Sequence, residues 1–400
     1  MAVRTGVVWG ADVLGYDFGP THPMSPVRLD LTMRLARALG LLDAPGVEII
    51  EPKAVSDDVL LAVHTPEYVR AVREASLLGA QPRGAFGLGT GDVPAFWRMH
   101  EASARIVDGS RAAALAVWRG ELDHGVNFTG GLHHAMPAAA SGFCVYNDIA
   151  VAIGALLDAG ARRVAYLDVD AHHGDGVEHI FWDDPRVLTV SVHESARTLF
   201  PGTGYPQDAG GPGAEGTAVN VALPAGTTTA GWARAVDAVV PAVVRAFEPD
   251  VIVSQHGCDS HTLDPLTNLR VSVDGLRWAA ALVHGLAHEV ADGRWLALGG
   301  GGYAVVDVVP RAWAHLVAEA AHVDLPPSTP LPEAWLDHAA QFGHAYAVGP
   351  GEEPTTLTDG DEVELRDWAA GYDPASEVDR AIRATRRATF PHLGLDVEYD

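Results

Sequence analysis

Residues 162–176 read Arg162-Arg163-Val164-Ala165-Tyr166-Leu167-Asp168-Val169-Asp170-Ala171-His172-His173-Gly174-Asp175-Gly176. An apolar, β-prone run follows two arginines and gives way to three acids, two histidines and two glycines. Side chains two apart on an extended chain share a face, so Asp168, Asp170 and His172 point the same way. Two carboxylates and an imidazole crowded at a strand end repel one another unless a cation lies between them, and a metal ion is the natural candidate. The competing reading is a polar strand end whose acids cap the next helix.

Outward from this stretch, strand-like and helix-like segments alternate. Downstream, strands are expected at 187–192, 219–223, 251–254 and 295–298, and helices at 177–182, 229–247, 276–290 and 305–320, with Pro310 kinking the last. A glycine-rich loop covers 201–216. Upstream, strands are expected at 4–9, 47–50 and 126–128. Helices are expected at 27–39, after Ser56, after Thr65, at 95–118 with Gly109 weakening its middle, and at 143–158. Residues 79–94 read as a long Gly- and Pro-rich surface loop. Such alternation predicts an α/β fold with an open, mostly parallel sheet flanked by helices on both faces. Ligands then bind beyond the carboxyl ends of the strands. After residue 320 prolines punctuate the chain and acids thicken at 352–364, with helices expected near Trp335 and over 376–389. This divides the chain into a catalytic unit, 1–320, and a C-terminal extension, 321–400, packed on it.

Composition narrows the function. Fifty-two acids against 27 bases leave a formal charge of −25 over 400 residues. Such a surface repels phosphate backbones and anionic lipid, which argues against nucleic-acid and membrane partners. Cys144 and Cys258 lie far apart and form no CxxC pair or disulfide framework. The N-terminus lacks a secretory h-region and no apolar run spans a bilayer, so a cytoplasmic location is expected. There is no GxSxG and no HExxH, and the fragment at 87–91 is a weak nucleotide fingerprint that neither follows a strand nor opens a helix.

Three more polar clusters follow expected strands. His133-His134 sits after Gly130-Gly131, whose freedom lets adjacent side chains serve one site. Asp168 and Asp175 are available to orient these imidazoles. The segment 253–261 offers Asp259 as a third metal ligand, with a turn or helix cap as the plainer reading and His261 and Asp264 as alternative ligands. Gly299-Gly300-Gly301-Gly302 ends in Tyr303, which is either a core aromatic or a hydrogen-bond donor to a developing oxyanion. Two aspartates and one histidine leave open coordination positions, a catalytic arrangement suited to Zn2+, with Fe2+ second.

The motifs GGLHHA at 130–135, SGFC at 141–144, DVDAHHGDG at 168–176, SVH…FPGTG at 191–204, GCDSHTLDPL at 257–266 and LGGGGY at 298–303 resemble, in order and spacing, the histone deacetylase (arginase/deacetylase) superfamily. The match runs over roughly residues 15–320, and the GLGTGD loop at 87–92 and the long tail resemble its acetoin-utilization branch. The resemblance implies an arginase/deacetylase-like fold and zinc held by Asp170, His172 and Asp259, which removes Asp264 as a ligand. It pairs His133 with Asp168 and His134 with Asp175, and makes Tyr303 the carbonyl-polarising donor. Phe143, Phe200 and Leu266 would line a substrate tunnel. A structural K+ near Asp168, Asp170, His172 and Ser191 is also implied. Eukaryotic members carry a rim aspartate that clamps substrate, for which Asp92 is the candidate here. The implied activity is deacetylation of N-ε-acetyl-lysine in proteins, with acetyl-CoA synthetase in acetoin and acetate metabolism as an implied target. The alternative is an acetylpolyamine amidohydrolase acting on small acetylated amines. A non-catalytic module that keeps the fold is disfavoured by the intact ligands, dyads and tyrosine.

Overall fold

The computed structural model describes residues 3–82, 84–346 and 354–400. Met1 and Ala2 of the N-terminus, Arg83 within the 79–94 loop, and Glu352 and Glu353 at the start of the acidic run lie outside the described residues. Eight strands appear: β1 (Thr5–Val8), β2 (Val47–Ile50), β3 (His124–Asn127), β4 (Val164–Asp168), β5 (Val187–Glu194), β6 (Ala218–Leu223), β7 (Val251–Gln255) and β8 (Trp295–Leu298). They form one sheet in the order β2-β1-β3-β8-β7-β4-β5-β6, every neighbouring pair parallel. Helices α1 (Val27–Ala38), α2 (Asp57–Leu60), α3 (Pro66–Ala75), α4 (Met99–Trp118), α5 (Asp148–Asp158) and α6 (Asp175–Phe181) are followed by α7 (Thr229–Phe247), α8 (Val273–Val290), α9 (Val309–Ala320), α10 (Glu333–Tyr346) and α11 (Glu377–Thr389).

The two faces of the sheet feed separate cores. Val164 and Tyr166 of β4 pack with α4, α5 and α6, whereas Ala165 and Leu167 pack with α1, α7, α8 and α9. Trp295 and Ala297 of β8 alternate with Leu296 and Leu298 in the same way. Burial on both faces explains why these strands read as continuous apolar runs. Gly109 lies inside α4, where a Cβ would fall 2.6 Å from Val8 Cγ1. The residue that weakens the helix therefore lets it approach the sheet.

Three expected helices start later than their composition suggests. Residues 95–98 precede α4, and Arg98 adopts a left-handed conformation (φ 64°) just before it. Residues 143–147 form a turn rather than the first part of α5; Phe143 has φ 65°, and Asn147 caps the helix by accepting from the Ala150 N–H. Pro310 occupies the first turn of α9 rather than kinking a longer helix, because its missing N–H is unneeded there.

The segment after residue 320 packs against the rest through buried polar contacts. Trp335 Nε1 of α10 donates to the Leu31 carbonyl at 2.9 Å. Helix α11 lies over the edge strand β6, with Thr385 Oγ1 donating to the Asn220 carbonyl at 2.5 Å. Arg234 of α7 meets Asp379 of α11 at 2.7 and 2.9 Å, both side chains nearly inaccessible to solvent. Asp359 accepts from the Val273 N–H at 2.7 Å and pairs with Arg311 at 2.9 Å and His261 at 2.9 Å.

Removing one partner of a buried ion pair leaves an uncompensated charge. Arg234→Ala is expected to lower unfolding stability by about 3–5 kcal/mol. Guanidinium denaturation of the variant beside the parent checks this. Burial alone would raise Asp359, but the His261 hydrogen bond and Arg311 hold it well below the usual carboxylate range. A depressed carboxylate stabilises the fold above its unfolded value, near 3.8, and loses that contribution as pH falls below it. Asp359→Asn should therefore melt below wild type at neutral pH, and the gap should close on acidification below about pH 4. A gap that persists in acid would show that ionisation of Asp359 is not the source.

Candidate active site

Strands β3, β8, β7 and β4 are adjacent in the sheet although distant in sequence. Their carboxyl ends deliver, in that spatial order, His133-His134, Tyr303, Asp259 and the Asp168–Asp175 segment. Chain order and strand order diverge here, so this is the crevice where an open parallel sheet binds ligands.

Asp170, His172 and Asp259 are buried, and a ligand atom from each lies within 4.8 Å of the others. His172 Nδ1 is 3.1 Å from Asp170 Oδ1 and 2.9 Å from Asp259 Oδ2. Tetrahedral zinc with bonds of about 2.0–2.2 Å separates its ligand atoms by about 3.3–3.6 Å, close to these spacings. The free carboxylate oxygens are braced: Gln255 Nε2 and the Gly301 N–H donate to Asp170 Oδ2 at 2.7 and 2.8 Å, and the Ala171 N–H donates to Asp259 Oδ1 at 2.8 Å. Burial and the neighbouring Asp170 charge push Asp259 up to about 6. Burial opposes charge on His172, yet Asp259 and Asp170 hold it well above the usual imidazole value. Two carboxylates and one imidazole oriented by outer hydrogen bonds are a donor set that fits a divalent metal with an open position.

The two histidines sit beside this set. His133 Nδ1 is 2.8 Å from Asp168 Oδ2, His134 Nδ1 is 2.6 Å from Asp175 Oδ1, and the two Nε2 atoms are 3.0 Å apart. Burial lowers His133, but Asp168 and Asp170 outweigh it and raise the group to about 9. Burial, reinforced by His133, lowers His134 to about 4. The neutral His134 thus keeps a lone pair on Nε2 while its Nδ1–H faces Asp175. The irregular backbone expected at Gly130-Gly131 is present: Gly131 has φ 92°, and Asp148 accepts from the Gly131 and Leu132 N–H groups at 3.1 and 2.8 Å.

Tyr303 is nearly buried, and its N–H donates to Asp264 Oδ2 at 2.8 Å. Asp264 therefore positions the tyrosine loop rather than joining the ligands. His261 is likewise engaged elsewhere, accepting from the Leu263 N–H and facing Asp359. The Phe143 ring meets Tyr303 edge-on at 5.6 Å, and the half-exposed Phe200 ring meets His134 at 5.0 Å and His172 at 6.3 Å. Leu266 is exposed, with its N–H donating to Asp264 Oδ1. Ser191 pairs with Asp168 across β4 and β5, while its Oγ contacts His193 Nδ1 at 2.8 Å. Asp92 Oδ2 accepts from the Gly142 N–H at 2.8 Å and so braces the turn that presents Phe143.

A histone deacetylase domain model matches residues 22–320. The chain belongs to the histone deacetylase family. It is accordingly a hydrolase of acetylated amides. It is 42% identical over 323 residues to the acetoin utilization protein AcuC of Bacillus subtilis (strain 168), covering 80% of this chain and 82% of that one. It is 38% identical over 338 residues to AcuC of Staphylococcus xylosus, covering 84% and 87% respectively. A crystal structure of an HDAC homolog complexed with SAHA superposes with a TM-score of 0.81 at 27% identity, covering 96% of this chain and all of that one.

Sequence reasoning missed several supporting residues of this deacetylase. Tyr166 donates to Asp168 Oδ2 at 2.5 Å, from two residues earlier on the same face. Gln255 pairs with Asp168 across β4 and β7, a register that only the strand order reveals. Arg28, buried on α1, donates to the carbonyls of Gly300 and Gly302 at 2.7 and 3.3 Å and pins the glycine run from the far side. At Gly301 a Cβ would overlap the Asp259 carboxylate. Gly301→Ala is therefore expected to weaken metal binding by about 10–100-fold. Zinc titration against a competing chelator, with circular dichroism to confirm folding, measures it; unchanged affinity would refute the close-approach argument.

Proposed function

We propose that this deacetylase removes the acetyl group from N-ε-acetyl-lysine side chains of proteins, in a zinc site formed by Asp170, His172 and Asp259. The observation that carries the reading is the convergence of two His–Asp pairs and one tyrosine on a buried two-aspartate, one-histidine set. When bound, zinc supplies Lewis-acid polarisation of the acetyl carbonyl and makes water more acidic. His134 Nε2 takes a proton from the attacking water as its oxygen bonds to the carbonyl carbon. His134 then returns that proton to the amine nitrogen as the C–N bond breaks, releasing acetate and free lysine. Asp175 holds the His134 tautomer through the Nδ1 contact. His133, held by Asp168 through its Nδ1 contact, serves electrostatically beside His134. Tyr303 donates its hydroxyl to the oxyanion.

Phe143 and Phe200 would guide the acetylated chain, with Leu266 at the entrance. The reading extends to a K+ ion near Asp168, Asp170, His172 and Ser191, to a cytoplasmic location and to 321–400 as an extension of a 1–320 catalytic unit. No helix among the described residues is long and apolar enough to cross a membrane. The names of the AcuC relatives support a role in acetoin utilization. The reading takes acetyl-CoA synthetase, in acetoin and acetate metabolism, as the protein to assay.

Removing one oxyanion donor costs about 100- to 1,000-fold in kcat, the loss expected of Tyr303→Phe with zinc content unchanged. Turnover of an acetyl-lysine peptide by the zinc-loaded variant decides it. Activity near wild type would remove the tyrosine from the reaction, and faster wild-type turnover of acetylspermidine than of any acetyl-lysine substrate would overturn the protein-substrate assignment.

A further inference from the structure

Four histidines gather at the end of the sheet opposite the active site. His124 opens β3, His284 and His288 stand one turn apart on α8, and His322 follows α9. The His284, His288 and His322 Nε2 atoms form a triangle with sides of 2.9, 3.0 and 3.4 Å. The His124 ring stacks on His322 at 5.2 Å and meets His284 and His288 edge-on at 4.9 and 5.2 Å. One ring nitrogen from each of the four lies within 4.8 Å of the others.

Outer partners fix which nitrogens face the centre. His124 Nδ1 is 2.7 Å from the Ala320 carbonyl, an acceptor only, so that nitrogen carries the proton. His284 Nδ1 is 2.7 Å from Glu319 Oε1 and is protonated for the same reason. With that nitrogen carrying the single proton, each ring turns an Nε2 lone pair inward, the tautomer that metal-ligating histidines adopt when their other nitrogen serves a carbonyl or carboxylate. With His284 protonated at Nδ1 alone, donation from both His288 and His322 to its Nε2 sets two N–H groups against each other across the 3.4 Å edge. The buried His124 Nε2 has no hydrogen-bond partner at all.

We infer that His124, His284, His288 and His322 form a second metal site, for a divalent transition metal of the zinc class. An all-imidazole donor set suits zinc, copper, nickel or cobalt and not calcium or magnesium. A tetrahedral ion with bonds of about 2.0–2.1 Å sets its nitrogens about 3.3–3.4 Å apart, near the observed triangle. His288 and His322 are exposed, so an ion enters from solvent. The ion would tie the first residue of β3, helix α8 and the turn where the C-terminal segment begins. None of the four residues touches the deacetylase centre, so the role is structural.

The test uses untagged full-length protein, loaded with zinc, gel-filtered and analysed for metal by mass spectrometry. His288→Gln with His322→Asn alters only exposed ligands, and asparagine tolerates the left-handed backbone of His322. Wild type is expected to retain two zinc ions per chain. The His288/His322 variant should retain one and keep deacetylase turnover within about twofold of wild type. A chain with Asp170→Asn and Asp259→Asn should also keep one, and zinc should raise its melting temperature. Equal zinc in wild type and the His288/His322 variant would overturn the inference, as would complete zinc loss from the Asp170/Asp259 variant. If instead wild type holds a single ion that only the His288/His322 change removes, the histidine site stands and the zinc assignment of the catalytic centre fails.

Discussion

Asp170 and Asp259 have to exist as neighbouring carboxylates with no solvent around either. No lysine or arginine forms an ion pair with them among the described residues; the His172 imidazole lies within ion-pair distance of both, and Gln255, Gly301 and Ala171 donate hydrogen bonds. Burying carboxylates without such partners is costly, which accounts for the side chains and backbone N–H groups gathered around this pair. Glycines occur where backbone must reach the carboxylates. At Gly257 and Gly301 a side chain would occupy the space of the Asp170 and Asp259 oxygens. Arg28 does not contact the carboxylates; it holds the glycine run that does.

The strand order converts this local demand into a site. β3, β8, β7 and β4 come from sequence positions spread over some 170 residues, yet lie side by side. Each ends in a short turn and contributes one part: an imidazole pair, a tyrosine, one carboxylate, and the acidic segment after β4. Shifting β4 by one residue would send Asp168 toward the opposite core. The alternating assignment of Val164, Ala165, Tyr166 and Leu167 to two cores therefore fixes where Asp168 points.

Much of this was legible in the residues. The apolar runs at 164–168, 251–254 and 295–298 announce buried strands, and the period-two placement of Asp168, Asp170 and His172 announces a shared face. What escaped depends on contacts between distant segments. Phe143 looks like the start of a helix because its neighbours are helix-compatible, but a left-handed turn there carries the ring to Tyr303. Pro310 reads as a kink until the preceding turn shows that the helix begins there. Gln255 and Tyr166 carry no motif: Gln255 reaches Asp170 through the cross-strand register of β7 with β4, and Tyr166 reaches Asp168 from two residues earlier on the same face. The four-histidine cluster draws on positions 124, 284, 288 and 322, and no local spacing except the i, i+4 pair on α8 hints at it.

The contact between Asp359 and His261 couples the catalytic centre to time as well as space. A ribosome delivers every residue proposed for the deacetylase centre by position 303, but the carboxylate that anchors the loop carrying Asp259 arrives 56 residues later. Until then His261 and Arg311 lack their shared acid, and the first turn of α8 lacks the acceptor for the Val273 N–H. Synthesis of the proposed centre thus precedes synthesis of the acid that braces the loop beside it, so the brace is added to the site from a later part of the chain.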